Sequence, residues 1–442
     1  MRVIFRREWL FGQLDITKNI IFFLSFLYFF TTSADLLSIK VSIFRCKLNH
    51  ALAFAIFAML FISKKPWKLD KKIFFSFLIT TGLMAISAVY SPMLKRAIGY
   101  VLLYLFTFCI YFILPYNLVL AYGREQVFKI YKASFIATGV FGALQFFASF
   151  GGILLPFVGQ TIGGTIARGQ AMTYEPSYFA LYMIAYVMYY NACYLFFFET
   201  VMEKKKIMHL FLVNIMLIVS TSTGAFFAYF VMVGVFFLLQ SSRWVRSCKR
   251  KMVKKLALFS LSFAALFAVI AVVAKDIFLN TFWKFFRQGF MAHGSFVERW
   301  QGIVNAWNVF IEHPWFGVGV GGVGPFLFQK ENSTNVSEVT KEMLIPYDPT
   351  NVLTELLASM GVVGTLAFAV FFFLYFKRFY SVTRIKELTM EEKGTIYALL
   401  VSLLVMLIVL QFNQNLFRSY VWVHMAFCLG YSVSLREEYD RS

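Results

Sequence analysis

Long apolar runs alternate with short polar stretches along almost the whole chain. Runs at about 17–34, 49–63, 73–90, 98–118, 131–150, 175–198, 207–221, 224–240, 256–274, 351–375, 395–412 and 418–434 predict twelve membrane-spanning helices. The shorter ones need polar flanks or tilt to reach across hydrocarbon, which takes about 20 helical residues. The run 207–240 reads either as one long tilted helix or as two short ones. Ser220-Thr221-Ser222-Thr223-Gly224 interrupts it near the middle and basic clusters flank both ends, which favours two helices joined by a turn.

Two interruptions are too polar or too glycine-rich to sit in lipid. The first, 151–172, carries Gly-Gly, Pro156 and further glycines, with Arg168 as its only charge. Broken backbone at membrane depth is tolerated only against protein or a water-filled cavity. The second, 275–350, is the one large loop, dividing the chain into helices 1–274, the loop, and a last group of helices with a tail, 351–442. Within it, Trp300, Ile303, Val304, Trp307 and Ile311 recur at three to four residues, which predicts an amphipathic helix over 299–312 lying along the membrane interface. Pro314 stops it. The glycine run Gly317-x-Gly319-x-Gly321-Gly322-x-Gly324 suggests a phosphate loop, but no Gly-Lys-Ser/Thr follows. Tight turns and close backbone approach are the expected use, although exposed amides there would still suit an anion. The stretch 329–349 reads as loop.

Composition agrees with the pattern. Sixty per cent of the 442 residues are hydrophobic, 56 are Phe, and mean hydropathy is +0.70, which excludes a soluble domain and indicates an all-α polytopic membrane protein. The apolar run from Ile16 reads as the first span and not as a cleaved leader. The net charge of +20 would suit nucleic acid. With the N-terminus inside, however, the basic clusters at 64–72, 124–132, 204–206, 243–255 and 377–393 all fall on the cytoplasmic side, and they orient the chain. Both termini are then cytoplasmic and 275–350 faces outward. The five cysteines form no CxxC pair, and His293 and His313 lack acidic neighbours, so neither a disulfide framework nor a metal site is expected.

What remains for chemistry is arginine on the outer side: Arg168, Arg287, Arg299 and Arg418. A guanidinium offers a rigid fork matched to phosphate oxygens, and placing it near hydrocarbon is costly without an anion. Glu175, at the start of a helix opened by Pro176, suits either a cap or a base; Glu298 is a second acidic candidate.

Three stretches resemble the O-antigen polymerase and O-antigen ligase superfamily of bacterial inner-membrane enzymes. They are Arg168-Gly169 with Glu175-Pro176-Ser177-Tyr178-Phe179-Ala180; Gly294-Ser295 with Arg299, Trp300, Ala306, Pro314 and Gly317-x-Gly319; and Asn351-x-x-Thr354-Glu355-Leu356 with Gly361 and Gly364. The resemblance implies a metal- and cofactor-independent inverting glycosyltransferase that uses an undecaprenyl-diphosphate-linked oligosaccharide as donor and acceptor. Arg168 and Arg299 would hold the diphosphate and Glu175 would serve as base. Arg287, Arg418, Glu298, Trp300 and Trp307 would line the substrate. It further implies membrane lipids, a chain-length regulator and a flippase as partners, and no nucleic acid. Ligases carry histidine directly before Asn351, where this chain has Thr350, which favours a polymerase. Members also carry Ser-Arg where spans 7 and 8 meet, and here the turn has no arginine. A ligase, a transporter or flippase of lipid-linked glycan, and a structural envelope subunit are the alternatives.

Overall fold

The computed structural model describes residues 2–41, 44–162, 164–197, 204–239, 294–332, 340–412 and 416–441. Helices stand at every predicted span within them: α1 (Arg2–Thr31), α2 (Leu48–Ile62), α3 (Lys71–Ala88), α4 (Leu94–Tyr122), α5 (Arg124–Phe150), α6 (Pro176–Phe197), α7 (Lys204–Ile218) and α8 (Thr223–Leu239). After the large loop come α11 (Val352–Tyr380), α12 (Met390–Val409) and α13 (Ser419–Tyr439), while α9 (Gly294–Glu312) and α10 (Val323–Asn332) belong to the loop itself. The predicted ninth span, 256–274, lies outside the described residues. Lys71–Ala88, Leu94–Tyr122, Arg124–Phe150, Val352–Arg384 and Met390–Val409 are long and apolar enough to cross a membrane, and shorter apolar helices accompany them. The chain is an all-α polytopic membrane protein.

Local sequence explains the irregularities. Pro115 has no N–H to give the Tyr111 carbonyl, and the turn before it widens into a π-helical turn over Cys109–Ile113. Residues 207–239 are two helices, as Ser220–Gly224 predicts, with Thr221 at φ +47° in the turn between them. In α11, Gly361 sits at φ +65° and ψ −167°, a conformation that belongs to glycine, and kinks the helix. Two short antiparallel pairs interrupt the helices: β1 (Ser38–Val41) with β2 (Phe44–Lys47), and β3 (Thr161–Ile162) with β4 (Ile166–Ala167).

Hydrogen bonds and ion pairs sort the connections into two ends. At one end Lys68 pairs with Glu437, Arg378 with Asp70, and Arg124 with Glu392. At the other, Ser419 bonds the Thr32 carbonyl, Leu36 N–H the Met172 carbonyl, Asn351 the Gln411 carbonyl, and Ser87 the Ser359 carbonyl. Connections at the two ends alternate along the sequence, as in an up-and-down bundle. The core between them is dominated by aromatics, among them Tyr28, Phe77, Tyr104, Phe108, Tyr182, Phe371 and Trp422. Phe side chains left exposed, such as Phe23, Phe54, Phe75 and Phe373, are the expected lipid face.

Candidate functional site

Two buried glutamines hold the broken segment after α5 in a single shape. Gln145 donates to the Pro156 and Ala171 carbonyls and accepts from the N–H groups of Gln170 and Ala171. Gln170 donates to the Phe157 and Thr173 carbonyls and accepts from Gly159 N–H. Amides are suited to this work because each offers donors and acceptors to backbone that no helix satisfies. Neither residue stands out by sequence pattern.

This framework presents Arg168 to the turn between α7 and α8. Its Nε donates to Thr221 Oγ1 (2.8 Å) and the Ser220 carbonyl (3.3 Å), Nη2 to the Thr221 carbonyl (3.2 Å), and Nη1 to Gln160 Oε1 (2.9 Å). The turn that lacks an arginine of its own thus receives one from the preceding loop. Gly169 must be glycine, since a Cβ would lie 2.8 Å from Val219 and 2.9 Å from the Gly142 carbonyl. All four acceptors are neutral, so the guanidinium is fixed in place with its charge uncompensated by an ion pair.

Glu175 stands just before α6 and caps it with its backbone carbonyl, which accepts from Tyr178 N–H and Phe179 N–H. Its carboxylate accepts instead from Ser177 Oγ at 3.0 Å and lies within electrostatic reach of both Arg168 and Arg299. Burial lowers the pKa of both guanidinium groups and Glu175 acts against it on each. Such groups keep their protons and favour an anion.

Arg299 comes from the loop helix α9, which begins at Gly294, five residues before the predicted start at 299. The stripe that packs is Gly302, Ala306 and Val309, not the tryptophan face. Gly302 lets α9 lie against Thr350, whose Oγ1 would be 2.9 Å from a Cβ there and donates to the Arg299 carbonyl at 2.9 Å. Arg299 flanks this stripe, half-buried, and its guanidinium makes no hydrogen bond or ion pair among the described residues. Trp300 and Trp307 occupy the opposite stripe and are 54% and 47% exposed, so the structure sets them away from this cluster. Glu298 is exposed beside Arg299.

Arg418, just before α13, stacks on the Tyr178 ring at 3.5 Å, and its Nε is buried without a partner. Two residues seat it, Tyr178, which lies in the first family-like stretch, and Asp35, for which sequence reading had no signal. Tyr178 lies between Arg418 and Arg299, and Asp35, buried after α1, is paired to Lys47 of the β1–β2 hairpin at 2.5 Å. The hairpin leans on the same segment: Arg45 lies 5.2 Å from the Tyr174 ring. Arg168, Glu175, Arg299 and Arg418 therefore converge at one end of the bundle, together with Tyr178 and Asp35. Arg287 lies outside the described residues.

The glycine run is a strap and not an anion cradle. Val318 N–H and Gly319 N–H are taken by the Ala358 and Ser359 carbonyls, both at 2.9 Å, and Val362 N–H reaches the Pro314 carbonyl at 2.8 Å. Gly317, Gly319 and Gly321 have φ of +66°, +85° and +69°. A Cβ on Gly317 would meet Ser359 backbone at 2.3 Å, and one on Gly361 would meet Trp315 backbone at 2.2 Å. The strap is thus seated in the α11 kink, and residues 329–349, read as loop, include the end of α10 and a short helix, Lys341–Leu344. Among the described residues there is no group of three or more His, Cys, Asp or Glu that would hold a metal ion.

No curated protein matches the chain. Residues 208–369 match the family model described as O-Antigen ligase, a stretch that runs from α7 past the α11 kink and contains Arg299, Thr350 and the strap. Arg168, Glu175 and Arg418 lie outside that stretch in sequence and are brought to it by the fold. The matched stretch, residues 208–369 of 442, is similar to that family.

Proposed function

We infer that the protein is a glycosyltransferase that polymerises polyprenyl-diphosphate-linked oligosaccharide repeat units, at the outer face of the bacterial inner membrane. One observation carries this reading: Arg168 and Arg299 share the carboxylate of Glu175, and Arg418 stacks on the neighbouring Tyr178 near Asp35, which is already paired to Lys47. The surplus of positive charge is what a diphosphate would neutralise. Arg168 is anchored by neutral acceptors, Arg299 is held by backbone alone, and Arg418 rests on an aromatic face. All three are positioned without being neutralised, which is the preorganisation that favours charge developing on a leaving group.

In the reaction, a hydroxyl of the acceptor glycan attacks the anomeric carbon of the donor. The bond between that carbon and the diphosphate oxygen breaks, and polyprenyl diphosphate leaves with the electron pair. Glu175 takes the hydroxyl proton and returns it to solvent. Holding two charged lipids in line supplies much of the acceleration.

The family description favours a second reading, a ligase that moves the finished glycan to another acceptor. Thr350 favours polymerisation: its hydroxyl tethers α9 and offers no base where ligases carry histidine. Deleting the gene and resolving surface and lipid-linked glycans by gel separates the two. A polymerase deletion leaves surface glycan limited to single repeat units. Long polymer accumulating on the polyprenyl carrier with a bare acceptor would establish the ligase instead, and unchanged glycans would remove both readings.

A further inference from the structure

The strap and α11 close over a small polar cavity. It has a volume of about 60 Å³ and is lined by Arg96, Tyr100, Gly324, Asp348, Glu355 and Ser359. Arg96 Nη2 bridges both Asp348 oxygens, at 2.9 and 3.2 Å, while its Nη1 is buried without a partner. Ser359 Oγ is likewise buried and unpaired, and the Glu355 carboxylate makes no hydrogen bond among the described residues. A donor, an acceptor and a hydroxyl thus line one small space with hydrogen-bonding capacity left over, which native interiors rarely leave unused.

Glycine keeps the space open. A Cβ on Gly324 would lie 2.6 Å from Asp348 Oδ1, and one on Gly321 would lie 2.5 Å from the Tyr100 ring. The site is also near the arginines. Thr350 is bonded to the Arg299 carbonyl, and Asp348 is two residues before it, a reach of at most about 7 Å along the chain. The Asp348 side chain is 32% exposed, so the cavity opens toward that end of the bundle.

We propose that this cavity is a sugar subsite, in which a hydroxyl or hydroxymethyl arm of the bound oligosaccharide accepts from Arg96 Nη1 and donates to Glu355. A space this size admits such an arm or a few waters, since one water needs about 10–15 Å³, and it excludes a whole ring. A hydroxyl both donates and accepts, as the unpaired groups require; a phosphate would be opposed by Asp348. Selection at such a site is sharp, because a substrate lacking the hydroxyl leaves buried polar groups unpaired. The inference rests on the glycosyltransferase reading and assigns Glu355 and Arg96 to recognition of sugar, apart from the diphosphate.

The test uses the purified full chain with lipid-linked oligosaccharide extracted from cells lacking the gene, and with sugar-free polyprenyl diphosphate as inhibitor. E355Q and S359A should raise KM for the oligosaccharide, E355Q about tenfold, while kcat stays within about threefold and inhibition by polyprenyl diphosphate is unchanged. G324A, which places a methyl against Asp348, should act in the same direction. If the cavity holds only water, or only ties the strap to α11, KM for the oligosaccharide will stay unchanged or will move in step with inhibition and with the folded fraction. Either result overturns the subsite. R299A serves as the control for the underlying reading: it should weaken inhibition by polyprenyl diphosphate, and failure there counts against the diphosphate cluster whatever Glu355 does.

Discussion

Replacing Arg299 tests the arginine cluster most directly, because the structure separates its chemical role from its structural one. Its carbonyl holds Thr350, and that bond survives any side-chain change. Its guanidinium makes no hydrogen bond or ion pair among the described residues, so alanine strips no described partner. Alanine is also the better helix former, and the expected change in stability is within about 0.5 kcal/mol. Activity should respond differently. Removing one charge-assisted hydrogen bond from a preorganised site costs about 3 kcal/mol, roughly a hundredfold or more in rate. Lysine keeps the charge but not the planar fork, so R299K should recover only part of that rate. The assay is the initial rate of polymer formation per unit of monodisperse protein. If R299A polymerises at near the wild-type rate, or if lysine restores it fully, Arg299 meets only lipid headgroups and the cluster does not bind a diphosphate.

Arg418 should resemble Arg299, because its guanidinium carbon sits over the Tyr178 ring, 3.5 Å from its centre. R418K and Y178L should each weaken a cation–aromatic interaction worth about 0.5–2 kcal/mol, and near-normal rates in both would remove Arg418 from the site. G361A forces a Cβ to 2.2 Å from Trp315 backbone at a φ that only glycine tolerates; accumulation and thermal midpoint should both fall, and a normally folded G361A would show that the strap is not seated as described. T350V keeps the shape and drops one hydrogen bond worth about 0.5–1.5 kcal/mol, so polymer rate should decline by up to about tenfold, whereas no decline would make the tether to α9 irrelevant. For orientation, cysteine at Lys95 should be labelled from outside by an impermeant thiol reagent in a background lacking native cysteines, and cysteine at Lys386 should not. The reverse pattern would turn the site to the cytoplasm.

The helices were legible because hydrophobic runs of this length have few other outcomes, and the break at Ser220–Gly224 was legible because polar residues and glycine seldom continue a lipid-facing helix. The packing face of α9 was not. Periodicity marked Trp300, Trp307 and Ile311, but the face that docks is Gly302, Ala306 and Val309, whose small side chains allow close approach and make a weak apolar pattern. Arg168 and Arg299 could be singled out as isolated outer-side charges. Their spatial approach to Glu175 could not be read, although the three had been assigned to one reaction, since it depends on Gln145 and Gln170 folding a loop of no recognisable period. Asp35 and Lys47 were invisible for a similar reason, since their pairing is made across a hairpin, and Tyr178 could be marked by its motif but not by its contact with Arg418, 240 residues away.

The position before Asn351 bears on mechanism as well as family. A threonine whose hydroxyl is engaged by the Arg299 carbonyl cannot also remove a proton, and Gly302 opposite leaves no room for an imidazole without displacing α9. On the proposed function, a base would therefore have to lie elsewhere, and Glu175 is the carboxylate that acts on both Arg168 and Arg299. A carboxylate is a weak base toward an alcohol in any setting. A weak base suffices when the leaving group is a diphosphate whose charge is met by fixed guanidinium groups, because bond breaking then runs ahead of proton transfer. On this argument the arginines supply most of the catalysis and Glu175 orients the hydroxyl, so a glutamine at 175 should cost less activity than an alanine at 299, measured as polymer rate per unit of folded protein. The opposite order would make proton removal the harder step and Glu175 the main catalytic group.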